Sequence, residues 1–215
     1  MSSLSGVGVI DKSMAVLAAL RTGPLDLAAL QEATGLPRAT AHRLAAALEV
    51  HHLVRRDSNG RFCLGLELVA LGRSAAEQFG VAAVAMPVLA ALRDDTGESV
   101  QLFVREDGMR RCVVSMQSPH GLRWIVPEGS LLPLDAGSAG RVLSSVSPVG
   151  TWVQSVEERE RGVASVSAPV LDSAGTVVAA VSVSGPIERM SRQPGKRFGA
   201  AVADAGRSIS TALAR

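Results

Sequence analysis

Four side chains in one short stretch of the sequence have the chemistry and the spacing to contact DNA. They are Arg38, Thr40, His42 and Arg43. Arginine can bond guanine through two N–H groups, and threonine can bond a base edge or a phosphate. On the second helix of a helix-turn-helix, laid in the major groove, such side chains reach the bases. An ordinary helix with a solvated basic face would carry the same residue types, so the surrounding elements must decide.

The elements that would present these side chains form a helix-turn-helix. Apolar residues three or four apart predict a short helix over residues 27–34 and a second helix over residues 37–48. Gly35 ends the first helix, because glycine accepts positive φ at a helix C-terminus. We expect Pro37 to be the first residue of the second helix, where its missing N–H costs nothing. A preceding helix over residues 9–22 would pack beneath the pair.

A basic hairpin is predicted directly after the second helix. Strand-like residues 53–57 and 61–64 flank Asn59 and Gly60, and an Asn-Gly pair is typical of a tight hairpin turn in which both residues adopt positive φ. The hairpin arginines Arg55, Arg56 and Arg61 would contact phosphates or a minor groove. Together these elements predict a winged helix-turn-helix.

The rest of the chain predicts an α+β domain. Strand-like alternation occurs over residues 99–105, 109–116, 122–126, 162–171 and 177–184, with helices predicted over 66–79, 81–97 and 198–213 and a loop leading into a helix over 133–143. Strands with helices at both ends favour an α+β sensor-like module. We therefore predict a winged helix-turn-helix at residues 1–64, a linker helix at 65–80 and an effector-binding domain at 81–215.

Several kinds of chemistry are excluded by what the sequence lacks. Cys63 and Cys112 are too few for a disulfide framework or a zinc site. The second domain has one histidine, His120, and no nucleophile elbow, phosphate-binding loop or zinc-protease motif. We expect no metal, no cofactor and no catalysis, with a redox-responsive thiol and an enzyme built on the C-terminal domain as the alternatives. Without a signal peptide or long apolar run, we expect a cytoplasmic protein with no membrane contact.

The chain resembles the IclR family of bacterial transcription regulators over nearly its whole length. The resemblance is carried by LPRATAHRLAAAL, RFCLGLELVALG, TGESVQLFV, GSLLPLDAGSAGRVL and GVASVSAPVLDSAGTVVAAVSVSGPIERM. It implies a winged DNA-binding domain, a linker helix used in dimer contact, and a GAF/PAS-like domain that binds a small, often acidic, metabolite. Members act as homodimers or dimers of dimers on palindromic operators in double-stranded DNA.

Two finer features follow from the same resemblance. The SVSGPIER and GVASVSAPV stretches resemble actinobacterial members that regulate amino-acid biosynthesis, leucine in particular. Between Leu143 and Trp152 the sequence is shorter than the family pattern. Either this member has lost a segment that covers the effector site, or a segment is missing from the sequence near residues 147–151, and the second explanation is the one we favour.

The family's effector pocket, carried over by position, gives candidate ligand-binding residues in the second domain. They are the backbone of Ser138 and Ala139, the side chains of Ser155, Ser165, Ser182 and Ser184, and the apolar residues Leu122, Trp124 and Leu132. Ser182 and Ser184 project from one strand face, and free N–H groups at the start of the Ser138 helix attract a carboxylate. A pocket of neutral donors suits a small anion or polar metabolite; alternatively, the serines face water. The sequence thus predicts a metabolite-responsive repressor or activator.

Overall fold

The chain divides into two compact units. The structure is a computed structural model that describes residues 5–78, 80–144 and 151–214. The units are Met1–Ala75 and Ala76–Arg215. The boundary therefore lies inside a helix, and the division into domains 1–64, 65–80 and 81–215 stays a prediction.

The first unit is a helical bundle with a hairpin. Its elements are α1 (Gly8–Ala19), a 3-10 turn (Leu20–Thr22), α2 (Leu27–Thr34), α3 (Arg38–Val50), β1 (Val54–Arg56), β2 (Phe62–Leu64) and the beginning of α4 (Glu67–Gln78). One core joins the helices to the hairpin and contains Val16, Leu20, Leu30, Ala45, Leu48, Val54 and Phe62. The predicted winged helix-turn-helix is confirmed in this order of elements.

The turn between α2 and α3 depends on local backbone chemistry. The Asp26 side chain accepts a hydrogen bond from the amide of Ala29 at 2.8 Å and caps α2. Gly35 ends α2 in the left-handed region with a φ of 66°, as predicted. The prediction that Pro37 is the first helical residue is wrong by one position. Its ψ of 140° is extended, and its carbonyl accepts from the amides of Thr40 and Ala41 instead, so α3 begins at Arg38.

The hairpin is confirmed, but its turn differs from the tight Asn-Gly turn predicted. Gly60 has a φ of 74°, whereas Asn59 keeps a negative φ. The Asp57 amide donates to the Arg61 carbonyl at 2.9 Å, which closes a three-residue loop. The Asp57 carboxylate accepts from the amides of Asn59 and Arg61, both at 2.9 Å, and these bonds lower the pKa of Asp57. A side chain therefore selects the longer loop.

The second unit is one antiparallel sheet with helices. Its elements are α5 (Gly80–Thr96), β3 (Ser99–Glu106), β4 (Met109–Met116), β5 (Leu131–Pro133), α6 (Ser138–Ser144), β6 (Val153–Val156), β7 (Val163–Leu171), β8 (Val177–Pro186), α7 (Ile187–Met190) and α8 (Pro194–Leu213). The strand order is β5-β4-β3-β8-β7-β6. No single helix in the described ranges is long and apolar enough to cross a membrane; Glu67–Ala75 and Gly80–Thr96 meet that test only when taken together.

The two faces of this sheet have different roles. Alternate strand residues such as Leu102, Val181 and Val183 belong to the main core, which also contains Leu89 of α5 and Ile209 of α8. Residues of the opposite parity, Phe103 and Ala180, pack instead with Ala139 and Val142 of α6. Because side chains alternate along a strand, Ser182 and Ser184 lie on the α6 face. That face holds the candidate ligand site.

Two predictions about the second unit need correction, and a third falls outside the described residues. Residues 122–126 form no strand, because the edge of β4 is taken by β5: the Cys112 amide donates to the Ser130 carbonyl at 3.0 Å, and Arg110 pairs with Leu132. The closing helix starts at Pro194, four residues before the predicted start, and β6 and α7 were not predicted. The proposed missing segment involves residues 147–150, which lie outside the described residues.

Candidate DNA interface and ligand cavity

Helix α3 turns one face into the core and a basic face outward. Ala41, Ala45 and Leu48 are buried. Arg38 and His42, one turn apart, are exposed, and so is Arg43. None of these three side chains has a hydrogen-bond or ion-pair partner in the described part of the chain, so their donors are available to DNA.

The remaining predicted α3 residue, Thr40, is half-buried and faces α1. Thr40 and Arg43 line a groove with Val9, Lys12, Leu44 and Ala47. Arg43 and Lys12 thus supply two cationic groups to the same groove. The four predicted side chains consequently fall into two pairs: Arg38 and His42 on one flank of the helix, Thr40 and Arg43 on the flank next to α1.

The three arginines of the hairpin differ in what they contact. Arg56 stacks on the Phe62 ring at 4.2 Å, forms an ion pair with Glu49 at 3.3 Å and donates to the Gly60 carbonyl at 3.2 Å. Arg61 forms an ion pair with Asp57 at 2.7 Å. Arg55 is exposed and has no such partner among the described residues. Arg56 and Arg61 therefore bond to other residues of the first unit, whereas the Arg55 side chain is available to contact DNA.

Eight of the nine predicted ligand-binding residues line one cavity in the second unit. They are Trp124, Leu132, Ser138, Ala139, Ser155, Ser165, Ser182 and Ser184. The ninth, Leu122, is 72% exposed and is not among the lining residues. Strands β6, β7 and β8 supply four of the serines, and Ser138 comes from the start of α6.

The serine hydroxyls of this cavity bond mainly to one another. Ser138 Oγ lies 2.7 Å from both Ser165 Oγ and Ser167 Oγ. Ser167 Oγ donates to Ser182 Oγ at 2.9 Å. The alternating serines therefore do not face water: they form a buried polar ladder across β7, β8 and α6.

A carboxylate of the chain itself bonds next to the start of α6. The Gly137 amide, which precedes the predicted Ser138 and Ala139 amides, donates to Glu158 Oε2 at 3.1 Å. Glu158 also forms an ion pair with Arg141 at 2.9 Å, so Arg141 neutralises this carboxylate. Arg123 is half-buried and donates to Gln117 Oε1 at 2.9 Å.

A buried arginine in this cavity was missed by the sequence reasoning. Arg110 on β4 is 3% exposed, and its Nη1 donates to the carbonyls of Pro133 and Ala136, the latter at 2.7 Å. Its guanidinium lies 5.5 Å from the Phe103 ring centroid. The alternation of β4 could have found it, because Arg110 shares a strand face with Cys112, which is fully buried.

The cavity is therefore not lined by neutral donors alone. Burial, and next the positive charge of Arg159, lower the pKa of Arg110 to about 10, while the negative charge of Asp135 acts in the opposite direction. Arg159 lies 5.2 Å over the Trp124 ring, and burial lowers its pKa as well. Two arginines at one cavity favour an anionic ligand.

Both cysteines are buried and free. Burial, and next the charge of Glu128, raise the pKa of Cys112 to about 12. A thiol with so high a pKa is protonated near neutral pH, and a protonated thiol reacts poorly with oxidants. This environment disfavours redox sensing at Cys112. Among the described residues, no three His, Cys, Asp or Glu side chains come together as metal ligands.

Comparison with known protein families matches both units. Residues 9–58 match the IclR helix-turn-helix domain, and residues 73–151 and 149–211 match the bacterial transcriptional regulator IclR C-terminal domain. The second match is in two pieces that meet at residues 149–151, the region in which the sequence departs from the family pattern.

Individual relatives are regulators rather than enzymes. The chain is 28% identical to the glycerol operon regulatory protein of Streptomyces coelicolor over 242 residues, covering 95% of each chain. It is 25% identical to the transcriptional repressor IclR of Escherichia coli, covering 88% of this chain and 83% of that one.

Solved structures have the same fold. A transcriptional regulator from Rhodococcus sp. RHA1 gives a TM-score of 0.81 at 22% identity, covering 96% of this chain and 98% of that one. An IclR homolog from Microbacterium hydrocarbonoxydans, complexed with 4-hydroxybenzoate, gives a TM-score of 0.82 at 18% identity, covering 95% of this chain and 98% of that one. With a winged helix-turn-helix in the first unit and a GAF/PAS-like cavity in the second, the chain belongs to the IclR family of DNA-binding transcriptional regulators.

Proposed function

We propose that the protein binds an operator through α3 and the β1-β2 hairpin, and that a metabolite in the second unit modulates this binding. The observation that carries the proposal is the set of unpaired donors on α3: Arg38, His42 and Arg43 are exposed without partners in the described chain. With Thr40 they would enter the major groove. Arg55 would contact the phosphate backbone and set the register.

A homodimer on a palindromic site suits this arrangement, and a dimer of dimers would repeat it. Support comes from apolar side chains that a monomer leaves exposed on the first unit. Val9, Ile10 and Met14 of α1 are 61%, 53% and 58% exposed, and Val69 of α4 is 68% exposed. Apolar surface of this kind marks protein interaction sites, and a two-fold dimer reads a two-fold operator.

The effector site we propose is the cavity lined by Ser138, Ser182 and Ser184. A related fold holding 4-hydroxybenzoate supports a small organic ligand. For the regulated genes, the resemblance favours amino-acid biosynthesis, leucine in particular, whereas the Streptomyces relatives favour a carbon-source operon such as that for glycerol. The protein would act in the bacterial cytoplasm, where its DNA is.

In vitro selection from random duplexes tests the DNA-binding part. The full chain should enrich a two-fold symmetric sequence and bind it with two chains per duplex. Arg43→Ala should weaken binding by about 1–3 kcal/mol and relax preference at one base pair if the side chain reads a base. An equal loss on all duplexes would assign Arg43 to phosphate.

Arg105→Ala is the matched control, since it removes one exposed arginine from β3 in the second unit. Its affinity for the selected duplex should equal that of the wild type. Failure of the folded protein to bind any duplex at low salt would refute the proposal.

A further inference from the structure

Two buried donor groups of the cavity lack hydrogen-bond partners among the described residues. They are the side-chain amide nitrogen of Gln101, Nε2, and the guanidinium Nε of Arg110. Gln101 is 1% exposed and Arg110 is 3% exposed. Buried polar groups are nearly always hydrogen-bonded, so two unpartnered donors lining one cavity point to a ligand that supplies acceptors.

The serines are not the open donors of this site. Ser138, Ser167 and Ser182 bond to one another, and Ser184 Oγ donates to Gln101 Oε1 at 2.9 Å. This last bond also orients the Gln101 amide, because it occupies the oxygen and leaves Nε2 to donate. The ladder therefore holds Gln101 in place, while hydrogen-bonding capacity for a ligand remains at Gln101 and Arg110.

The electrostatics favour an anion at the inner end of the cavity. Arg110 is its only charged lining residue in the described chain that is fully buried. Of the two lining carboxylates, Glu158 is held by Arg141 and the Gly137 amide, and Glu160 is exposed. Asp135, outside the lining, is also exposed. No acidic side chain therefore neutralises Arg110 directly.

Size limits the ligand further. The cavity volume is about 40 Å³. A single water requires a volume of roughly 10–15 Å³, so the cavity accommodates a few heavy atoms. Phe103 neighbours both donors, since Gln101 precedes it by two residues on β3 and Arg110 lies 5.5 Å from its ring. Gln101, Phe103 and Arg110 line the same cavity, so one ligand within it contacts both donors.

We propose that Arg110 and Gln101 are the side chains that hold the effector: Arg110 donates to a carboxylate of the ligand, and Gln101 Nε2 donates to a second oxygen-bearing group of the same molecule. This inference rests on the proposed role of the cavity as the effector site. Arg110 also donates to the carbonyls of Pro133 and Ala136 in the loop that leads into α6. Carboxylate binding is thereby coupled to the position of that loop and of α6.

Matched acids and amides test this inference on the full chain. Acetate, pyruvate and malonate, each beside its carboxamide and at constant ionic strength, are screened by thermal shift, and hits are measured by calorimetry. At least one carboxylate should stabilise the protein while its amide does not. Inorganic phosphate and sulfate serve as controls for an adventitious ion only.

Two variants assign the donors. Gln101→Glu keeps the acceptor for Ser184 but replaces the open N–H by a negative oxygen, and Arg110→Met removes the guanidinium. Each variant should bind the carboxylate found in the screen with roughly 10- to 100-fold lower affinity than the wild type, as expected for the loss of a hydrogen bond to a charged group. Arg123→Gln, outside the cavity lining, should bind as the wild type does. If Arg110→Met fails to fold, Gln101→Glu decides.

Four results would overturn the inference: stabilisation by amides equal to that by acids, equal stabilisation by phosphate or sulfate, undiminished carboxylate binding in Gln101→Glu or in folded Arg110→Met, or no stabilisation by any acid. In each case operator binding by the wild type is measured in parallel. If the selected duplex is still bound, the carboxylate inference fails alone. Loss of all duplex binding would instead refute the proposed function.

Discussion

Arg55 and Arg56 are adjacent on β1, but replacing each by glutamine should change a different property. Arg55→Gln should change the salt dependence of DNA binding, and Arg56→Gln should change the stability of the first unit. Arg55 has no partner in the described chain, so we expect it to contact phosphate. Each phosphate contact contributes about 0.9 to the slope of log affinity against log salt. With two chains per duplex, Arg55→Gln removes two such contacts and should make the slope less negative by about 1.8. Over a fourfold increase in salt, the wild type would lose about 12-fold more affinity than the variant.

Arg56→Gln should instead lower stability. Its guanidinium covers Phe62 at 4.2 Å and forms an ion pair with Glu49, and both side chains of that pair are more than a third exposed. A partly exposed cation–π contact and a solvent-screened ion pair together contribute about 1 kcal/mol. In a unit of this size, that corresponds to a fall of about 4–8 °C in the unfolding midpoint. The salt slope should stay that of the wild type.

Fluorescence anisotropy on the selected duplex between 50 and 200 mM salt (roughly the range over which phosphate contacts are measured) gives the slopes, and circular dichroism gives the midpoints. Arg105→Gln controls for the loss of one positive charge. The reasoning fails if Arg56→Gln reduces the slope as much as Arg55→Gln does and unfolds at the wild-type temperature. That result would mean that Arg56 leaves Phe62 when DNA binds.

Two further predictions concern the second unit. Gly140→Ala should destabilise the second unit by about 1–3 kcal/mol, because a Cβ at this position would overlap the Leu134 carbonyl and Arg110. Thermal unfolding measures the loss of stability. The control is Gly72→Ala in α4, where a Cβ meets open space and the variant should be as stable as the wild type. Burial raises the pKa of Cys112 to about 12 in the folded chain, whereas an unfolded cysteine has a pKa of about 8.5. The buried neutral thiol therefore contributes its full stabilisation below about pH 8.5. Above that pH the unfolded thiol ionises first, and the free energy of unfolding falls by up to about 1.4 kcal/mol per pH unit. Chemical unfolding between pH 8 and 11 should therefore show that the free energy of unfolding falls more steeply with pH in the wild type than in Cys112→Ala. Equal pH slopes in the two proteins would contradict the burial argument.

Much of the first unit could be predicted because its signals are local. The φ of Gly35 and the inward stripe of α3 each depend on residues within one or two turns of helix. The hairpin shows the limit of such reasoning. Asn59 and Gly60 permit a two-residue turn, but the Asp57 carboxylate bonds two amides and selects a longer loop. A single side-chain capping interaction outweighs the preference of the central pair.

The cavity shows the same limit at longer range. The serines could be placed on one strand face from their spacing, yet their mutual bonds join residues 138, 165, 167 and 182, which meet only when β7, β8 and α6 pack. Arg110 follows an exposed turn and precedes a second arginine, so its sequence neighbourhood resembles a solvated edge. It is buried because β5, rather than residues 122–126, pairs with β4 and closes over it.

The sequence by itself determined the order of elements, the helix-turn-helix, the hairpin and the face on which the serines lie, because these follow from backbone preferences and side-chain periodicity within short segments. Tertiary structure alone decided which donors are already used. Arg56 and Arg61 are held within the hairpin, the serines are held by each other, and Gln101 and Arg110 stay unpartnered in the described chain. A hydrogen bond requires two groups to meet, and strand pairing and helix packing determine which groups do.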